Sequence, residues 1–199
     1  MKLVHVRRDA LLKPLQAVCG IVEKRHTLPI LSNVLIERVN NRLRLLATDL
    51  EIQVSTSLDS PQKVPEDYVV TTSARKLLDI LRALPEQAEV FLEALNNRMQ
   101  VRSGKSSFNL QTLPAADFLK LPLPSDIVET IHLTQKVLRS LLLQVQYAMA
   151  QQDIRYYLNG MLLVVNNEEL KAVATDGHRL AYAAVPLPQN KGMHEVILP

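Results

Sequence analysis

The sequence predicts an α+β protein in which one domain is repeated, with helices lying on one face of antiparallel sheets. The first observation behind this prediction is an internal similarity at an offset of 127 residues. The Thr-Asp pair at 48–49 recurs at 175–176, and the offset holds without a gap back to Val4 and Ile131. The second is the order of patterns, because helix, hairpin and strands follow one another repeatedly along the chain.

The length of the repeat indicates whole domains rather than stacked helical repeats, because each copy is long enough to hold its own core. We predict a complete first domain at residues 1–122 and a second domain at residues 123–199. By the offset, residues 69–72 fall on 196–199, so we expect the second copy to be incomplete and the chain to be a fragment. A counterpart of the helix predicted at 73–84 would be missing, which should leave part of the second core exposed.

Three amphipathic helices are predicted, and each carries basic residues opposite its apolar stripe. Ser73 can cap one helix, which Pro85 ends, and Thr134 can cap the helix of the second copy. Pro14 should start or kink the equivalent helix of the first copy. The side chains expected to point inward from the second-copy helix are Val137, Leu138, Leu141, Leu142, Val145 and Met149.

The basic residues on or beside these helices are Arg7, Arg8, Lys13, Lys24, Arg25, Arg75, Lys76, Arg82, Lys136 and Arg139. One such face alone would indicate ordinary solvated surface. Three similar faces without interleaved aromatic residues favour contact with phosphates. This pattern predicts sequence-independent tracking of DNA rather than base recognition.

Alternating apolar patterns between the helices predict strands. In the first domain the predicted strands are 34–39, 43–48, 52–58, 68–72, 90–95, 99–102 and 108–113. In the second domain they are 161–165, 170–175 and 179–185. Paired asparagines between several of these segments are typical of tight hairpin turns.

The composition is typical of an intracellular globular protein, with 47% apolar and 22% charged residues and no apolar run long enough to span a bilayer. A net charge of +3 and a pI near 9.0 do not by themselves establish a nucleic-acid partner. The single cysteine, Cys19, lies in an apolar stripe, which indicates a buried thiol rather than a nucleophile. We therefore expect a cytoplasmic protein, and no cofactor is predicted.

Five segments resemble, in order and spacing, the family of the bacterial DNA polymerase III β subunit, the replicative sliding clamp. They are TLPILSNVLIE, LLATDLEIQV, VRSGKSSFNLQTLPAADF, QDIRYYLNGML and VATDGHRLA, and the resemblance extends over essentially all 199 residues. It implies a DNA-clamp fold, with two helices of each domain on the inner face of a ring. Members carry three such domains per chain and close head to tail as a homodimer around duplex DNA.

The resemblance also implies a function and partners. The family is a non-catalytic processivity factor that tethers the replicative polymerase to DNA at replication forks on the nucleoid. Short peptide motifs of the polymerase III catalytic subunit, the clamp loader, other polymerases and mismatch-repair proteins bind its hydrophobic cleft. Without a third domain, the present chain should not close a ring alone.

Site residues follow from the matching motifs. The positions that resemble DNA contacts are Arg25, Gln152, Tyr156 and Tyr157. The positions that resemble the peptide cleft are Leu158, Thr175, Gly177, His178, Arg179 and Leu180. The positions that resemble the dimer interface are Lys76, Phe108 and Leu110.

Several alternatives stay open at the level of sequence. One of the adjacent tyrosines, Tyr156 and Tyr157, could be buried, and Phe108 and Leu110 could be ordinary core residues. An enzyme would have to use Asp176 and His178 together with another histidine, either His132 or His194, as a metal or acid/base group. A free-standing peptide-binding module that does not encircle DNA is the alternative to a clamp.

Asp49 and Asp176 occur in both copies and are predicted to be structural, because a short carboxylate after a strand usually accepts backbone hydrogen bonds in the following turn. Gly177, His178 and Arg179 occur only in the second copy. A purely structural motif would be expected to stay alike in both.

Overall fold

The computed structural model describes residues 2–22, 28–39, 41–59, 67–122, 130–166, 168–187 and 192–199. The strands are β1 (Lys2–Arg7), β2 (Asn33–Val39), β3 (Arg42–Thr48), β4 (Gln53–Asp59), β5 (Tyr68–Ser73), β6 (Glu89–Leu95), β7 (Arg98–Ser103), β8 (Ser106–Gln111), β9 (Met161–Val165), β10 (Glu169–Thr175), β11 (Leu180–Pro186) and β12 (His194–Leu198). The helices are α1 (Arg8–Cys19), α2 (Ala74–Ala83) and α3 (Gln135–Val145).

The chain divides into two compact units, Met1–Pro122 and Leu123–Pro199. The first unit contains two antiparallel four-stranded sheets, with strand orders β1-β6-β7-β8 and β4-β3-β2-β5. The second contains one such sheet, with the order β11-β10-β9-β12. The predicted α+β class is therefore confirmed.

One core cluster holds the first unit together. It takes buried side chains from both helices and from both sheets, including Leu11, Leu77, Ile36 and Leu92. Helices α1 and α2 also pack against each other. Each leucine or isoleucine of this kind contributes roughly 1.5–3 kcal/mol by leaving water, so this shared core fixes both sheets relative to the two helices.

The core of the second unit lies between α3 and one face of its sheet. Leu141 and Val145 of α3 are fully buried. The sheet residues of this cluster include the alanines Ala172, Ala174, Ala181 and Ala183. Small side chains allow a helix to approach a sheet closely, so these alanines set the distance at which α3 packs.

The sheet of the second unit repeats the β4-β3-β2-β5 sheet of the first in strand order and, for three of its four strands, in register. Leu35 lies opposite Leu46 in the first unit, and the equivalent Leu162 lies opposite Val173 in the second. The strands that follow also agree at the offset of 127, because β3 pairs with β4 as β10 pairs with β11. The pairing of β5 and β12 differs from this offset. Thr71 of β5 lies opposite Leu35, whereas Ile197 of β12, only 126 residues later, lies opposite Leu162.

The predicted equivalence of residues 69–72 with 196–199 is therefore wrong by one position. The offset between β5 and β12 is 126. The connection from β4 to β5 covers residues 60–67, whereas the connection from β11 to β12 covers 187–193 and is one residue shorter. Since side chains alternate between the faces of a strand, a shift of one residue exchanges which of them face the helix.

The helix ends follow the predictions in part. Thr134 caps α3 as predicted, accepting a hydrogen bond from the Val137 amide at 3.3 Å. Ser73 occupies the cap position of α2, but its side chain makes no capping hydrogen bond. The prediction that Pro14 could start a helix is wrong, because α1 begins at Arg8 and continues through Pro14. Strand β1 was not predicted.

Helix α3 is less covered than α1. Leu11 of α1 is fully buried, whereas its equivalent, Leu138, is 37% exposed and does not point inward as predicted. Leu11 belongs to a cluster that includes residues of α2, and the described part of the second unit holds no second α-helix. None of the described helices is long and apolar enough to cross a membrane.

Candidate functional site

The turn between β10 and β11 carries most residues predicted for the peptide cleft, and a network of hydrogen bonds fixes its shape. The Thr175 hydroxyl accepts from the Gly177 amide at 3.1 Å and donates to the Arg179 carbonyl at 2.7 Å. The Asp176 carboxylate accepts from the amides of His178 and Arg179 at 2.9 and 3.0 Å. The hydrogen bond from the His178 amide, followed by the one from the Arg179 amide, lowers the pKa of Asp176.

The first unit has the same network in the turn between β3 and β4. Thr48 accepts from the Leu50 amide at 3.1 Å and donates to the Ile52 carbonyl at 2.8 Å. Asp49 accepts from the amides of Glu51 and Ile52 at 3.0 and 2.7 Å. The prediction that Asp49 and its equivalent Asp176 are structural is confirmed.

Both turns need a residue with positive φ at their third position. Gly177 has a φ of 88°, and its equivalent Leu50 has a φ of 81°. Glycine adopts this conformation without strain, whereas a leucine pays roughly 1–2 kcal/mol. The second unit therefore has the relaxed version of the turn.

The loop from 150 to 160 lies beside this turn and is locked by its own side chains. The Asp153 carboxylate binds the guanidinium of Arg155 through two contacts, at 3.0 and 2.9 Å, and also accepts from the Arg155 amide at 2.8 Å. Asn159 closes the loop from the other side, because its amide group bonds the backbone NH and the carbonyl of Asp153 at 2.9 and 3.0 Å. The hydrogen bond from Arg155 lowers the pKa of Asp153 to about 2.

Arg155 connects this loop to the turn. A β-carbon placed on Gly177 would lie 3.4 Å from one terminal nitrogen of the Arg155 guanidinium and 3.6 Å from the other. The Arg155 guanidinium therefore lies over the side of Gly177 on which a side chain would project. A residue with a β-carbon at 177 would strain the turn, because its φ of 88° favours glycine, and the β-carbon would come into van der Waals contact with this ion-paired group.

Three of the four residues predicted to contact DNA lie on the same loop. Gln152 has a φ of 57° and is exposed. Tyr156 and Tyr157 are 81% and 50% exposed, and their rings meet edge to face with centroids 5.9 Å apart. The alternative in which one tyrosine is buried is wrong, so both rings and hydroxyls are available to a ligand. The fourth predicted residue, Arg25, lies outside the described residues.

A hollow of about 1220 Å³ lies between the end of α3, the locked loop and the turn. Its lining includes Gln152, which was predicted for DNA, and also His178 and Arg179, which were predicted for the peptide cleft. The Arg179 guanidinium is fixed there by Asp176 at 3.0 Å and by the ring of Tyr147 at 5.7 Å. The structure therefore brings together side chains that the sequence assigned to two separate sites.

The other predicted cleft residues do not line this hollow. Leu158 is buried at the end of the loop, and Thr175 lies at the end of β10, directly opposite Leu180 of β11. Leu180 is 66% exposed. On the face away from α3, which we call the outer face, this strand continues with Tyr182, and β12 contributes Ile197.

The outer face of the second unit is therefore apolar and open. Leu180, Tyr182 and Ile197 are 66%, 57% and 45% exposed. Gly160 lets β12 approach, because a β-carbon there would come within 2.6 Å of the Ile197 side chain. A contiguous set of exposed apolar side chains on one face of a sheet marks a candidate binding surface.

The residues predicted for a dimer interface differ in environment. Leu110 is buried in the core cluster of the first unit, as the alternative assignment allowed. Phe108, two residues earlier on β8, is 38% exposed, and Lys76 is exposed on α2. Strand β8 is at the edge of its sheet, and an edge strand can pair with a strand of another chain.

Two of the basic residues predicted to face outward hold the helices together instead. Arg8 donates from Nε to the carbonyl of Leu81, at the end of α2, at 2.8 Å. Arg75, at the start of α2, donates to the carbonyl of Val22, beyond the end of α1, at 2.7 Å. Each guanidinium donates to a carbonyl near a helix C-terminus, so both side chains make structural hydrogen bonds between the helices.

The remaining cations on the described helices that face solvent are Lys13, Lys76, Arg82, Lys136 and Arg139. Sequence reasoning missed the roles of Asp153, Arg155 and Asn159. A signal was present, because the equivalent first-copy positions carry different residue types. Among the described residues, no group of three His, Cys, Asp or Glu side chains is placed to hold a metal ion.

The two units match two different domains of known proteins. Residues 1–122 match the family described as DNA polymerase III beta subunit, N-terminal domain, and residues 132–199 match DNA polymerase III beta subunit, central domain. The chain is 45% identical over 198 residues to the beta sliding clamp of Pseudomonas putida, covering 98% of this chain and 53% of that protein. It is 47% identical over 194 residues to the beta sliding clamp of Escherichia coli K12, covering 98% and 52%.

A crystal structure of the DNA polymerase III subunit beta from Pseudomonas aeruginosa superposes with a TM-score of 0.88 at 42% identity, covering 100% of this chain and 54% of that one. The chain thus spans about half the length of the relatives that it matches. Since both of its units match consecutive domains of one family, the chain belongs to the DNA polymerase III beta subunit family.

Proposed function

We propose that this chain acts as part of a sliding clamp, a processivity factor that encircles duplex DNA as a ring-shaped homodimer and tethers the replicative polymerase. Its relatives are called beta sliding clamps over 98% of the present sequence. A free-standing peptide-binding module is not favoured by these relatives. We place the protein in the cytoplasm, at the nucleoid, with no catalytic role of its own.

The observation that carries this proposal is the arrangement of the second unit. Exposed tyrosines and Gln152 lie on a locked loop, and Arg155 of that loop rests against the turn that carries His178 and Arg179. Next to the turn lies an apolar face that is open to solvent. One element thus presents polar and aromatic groups suited to a nucleic-acid backbone, and its neighbour presents an anchor surface for a peptide.

For DNA, the surface needs weak and sequence-independent contacts, because a ring is retained by topology rather than by affinity. Arg25 and Gln152 would bond phosphate or sugar oxygens, and Tyr156 and Tyr157 would place a ring or a hydroxyl against the backbone. The exposed lysines and arginines of α1, α2 and α3 would add long-range attraction.

For proteins, the apolar face suits a short peptide that ends in leucine and phenylalanine. Leu158, Thr175, Gly177 and Leu180 would form the floor, while His178 and Arg179 would bond the peptide backbone or an acidic side chain. The partners we propose are the polymerase III catalytic subunit, the clamp loader, other polymerases and mismatch-repair proteins. Phe108, Leu110 and Lys76 would contribute to the ring contact between subunits.

The encircling activity is tested with the complete protein on DNA. It should remain bound to a nicked circular plasmid after loading and should leave within seconds when one cut makes the plasmid linear, because only a ring can slide off an end. Retention on the linear DNA at moderate salt would contradict encirclement and indicate ordinary binding.

The division of roles is tested with two pairs of substitutions. Leu158→Ala with His178→Ala should abolish capture of a Gln-Leu-x-Leu-Phe peptide while the protein stays folded, as a cooperative unfolding transition and an unchanged circular dichroism spectrum at the assay temperature would show. Arg25→Ala with Gln152→Ala should slow loading onto DNA and leave peptide capture unchanged. If the two effects were exchanged, the site assignments would be wrong.

A further inference from the structure

The outer face of the first unit is covered by the chain itself. After β8, residues 112–122, which we call the strap, run across the β4-β3-β2-β5 sheet. Phe118 of the strap is 6% exposed and lies in a cluster with Leu31, Leu35 and Leu46. This cluster is separate from the core beneath the helices, so Phe118 fills an apolar site of its own.

Polar groups on three strands fix the strap on either side of Phe118. The Thr71 hydroxyl donates to the Leu113 carbonyl at 2.7 Å and accepts from the Leu113 amide at 3.1 Å. Beyond Phe118, the Gln53 side-chain carbonyl accepts from the Leu121 amide at 2.9 Å, and Glu37 forms an ion pair with Lys120. The strap is therefore anchored at both of its ends.

The apolar site under Phe118 is the equivalent of the open face of the second unit. Leu35 and Leu46 face each other across β2 and β3, as Leu162 and Val173 do across β9 and β10. Leu31, which touches the same cluster, falls on Leu158 at the offset of 127. Both sites also lie beside the same Thr-Asp turn.

The anchors of the strap differ between the two units in a consistent way. Gln53 and Glu37 are replaced by Leu180 and Val164 at the offset of 127. Thr71 is replaced in the sheet by Ile197, which takes the same place opposite the equivalent leucine. Asn33, which donates to Thr71 at 3.2 Å, is replaced by Gly160, against which Ile197 packs. The second unit has lost the polar groups that hold the strap in the first.

We propose that the outer face of the first unit is a second site for peptides carrying leucine and phenylalanine, and that Phe118 occupies it as a built-in ligand. The strap thereby closes one of two equivalent sites, so that partners find only the site on the second unit. The ligand chemistry is taken from the proposed peptide cleft of the second unit, on which this inference therefore rests. A tethered phenylalanine acts at an effective concentration in the millimolar range, which excludes a free peptide at micromolar concentration.

The test uses a Gln-Leu-x-Leu-Phe peptide in which the phenylalanine is replaced by photoreactive benzoylphenylalanine. The complete protein is irradiated with this peptide, and the adducts are located by proteolysis and mass spectrometry. Wild-type protein should give adducts within 158–197 and none within 30–46. Phe118→Ala should add adducts within 30–46, with a yield at least about tenfold above the wild-type background.

Phe118→Leu is the matched control, because it keeps an apolar side chain in the site and should give the wild-type pattern. Phe118→Val removes less volume and serves in the same assay if the alanine variant does not unfold cooperatively. A folded Phe118→Ala or Phe118→Val protein without adducts within 30–46 would overturn the inference. If no protein formed adducts within 158–197 while Phe118→Ala still formed adducts within 30–46, the proposed cleft of the second unit would be refuted and the site on the first unit would be supported.

Discussion

The outer faces of the two repeated sheets share their strand order and most of their register, but within the described residues a segment of the chain covers only the first of them. In the first unit Thr71, Gln53 and Glu37 hold a strap whose Phe118 is buried. In the second unit the same places carry Ile197, Leu180 and Val164. The comparison shows that two equivalent faces of one scaffold differ at the few positions that anchor the strap, which are polar in the first unit and apolar in the second.

The largest expected effect comes from removing the buried occupant of the closed face. Phe118→Ala should lower the free energy of unfolding by about 3–5 kcal/mol, because it deletes a buried ring and leaves a cavity. Leu119→Ala, at a neighbouring residue that is 46% exposed, should change it by less than about 0.5 kcal/mol. Urea denaturation followed by circular dichroism measures both values, and equal effects would show that Phe118 does not fill a site.

The two Thr-Asp turns should respond oppositely to exchange of their third residue. Gly177→Ala should destabilise the protein by about 1–2 kcal/mol, because alanine is strained at positive φ and would approach the Arg155 guanidinium. Leu50→Gly relieves the same strain but adds freedom to the unfolded chain, so it should stabilise by no more than about 1 kcal/mol. Thermal unfolding of both variants measures whether stability rises or falls. A Gly177→Ala protein as stable as the wild type would contradict the geometry of the turn.

The smallest expected effect is the acid response of the locked loop, which has no counterpart in the described part of the first unit. The pKa of Asp153 is lowered to about 2 by its hydrogen bond and ion pair with Arg155. Since the folded pKa lies below the unfolded value, the contribution to stability is fully present above about pH 4 and is lost as the pH falls through 2. An NMR titration of the carboxyl carbon should give a midpoint near 2, and a midpoint near 4 would show that the loop is not locked.

Much of the repeat could be read from the sequence, because its markers are local. The Thr-Asp pairs predicted structural turns, and the hydrogen bonds of Asp49 and Asp176 are those expected of them. Short runs of apolar residues between turn signals predicted β2, β3, β9 and β10, and in β10 the buried residues alternate as expected of a strand with one face on the core. These features depend on neighbours in sequence, which a single chain displays.

The remaining features depend on contacts between distant residues. Apolar alternation does not reveal a connection that is shorter by one residue, so the register of β12 was assigned one position away from its true place. The difference between the copies marked Arg155 but not its position beside Gly177, and nothing in the sequence placed Phe118 on Leu35, because each contact joins a loop to a sheet or turn elsewhere. Arg8 and Arg75 looked like free cations, since capping of another helix is visible only after packing.

We propose that the exposed outer face of the second unit binds partner peptides while the strap-covered face of the first does not. Methyl NMR spectra of the complete protein, recorded during titration with a Gln-Leu-x-Leu-Phe peptide, test it directly. Shifts are expected at Leu158, Leu162, Leu180 and Ile197, with no change at Leu31, Leu35 and Leu46. Shifts confined to Leu31, Leu35 and Leu46 of the first unit, or spread evenly over both units, would contradict this proposal.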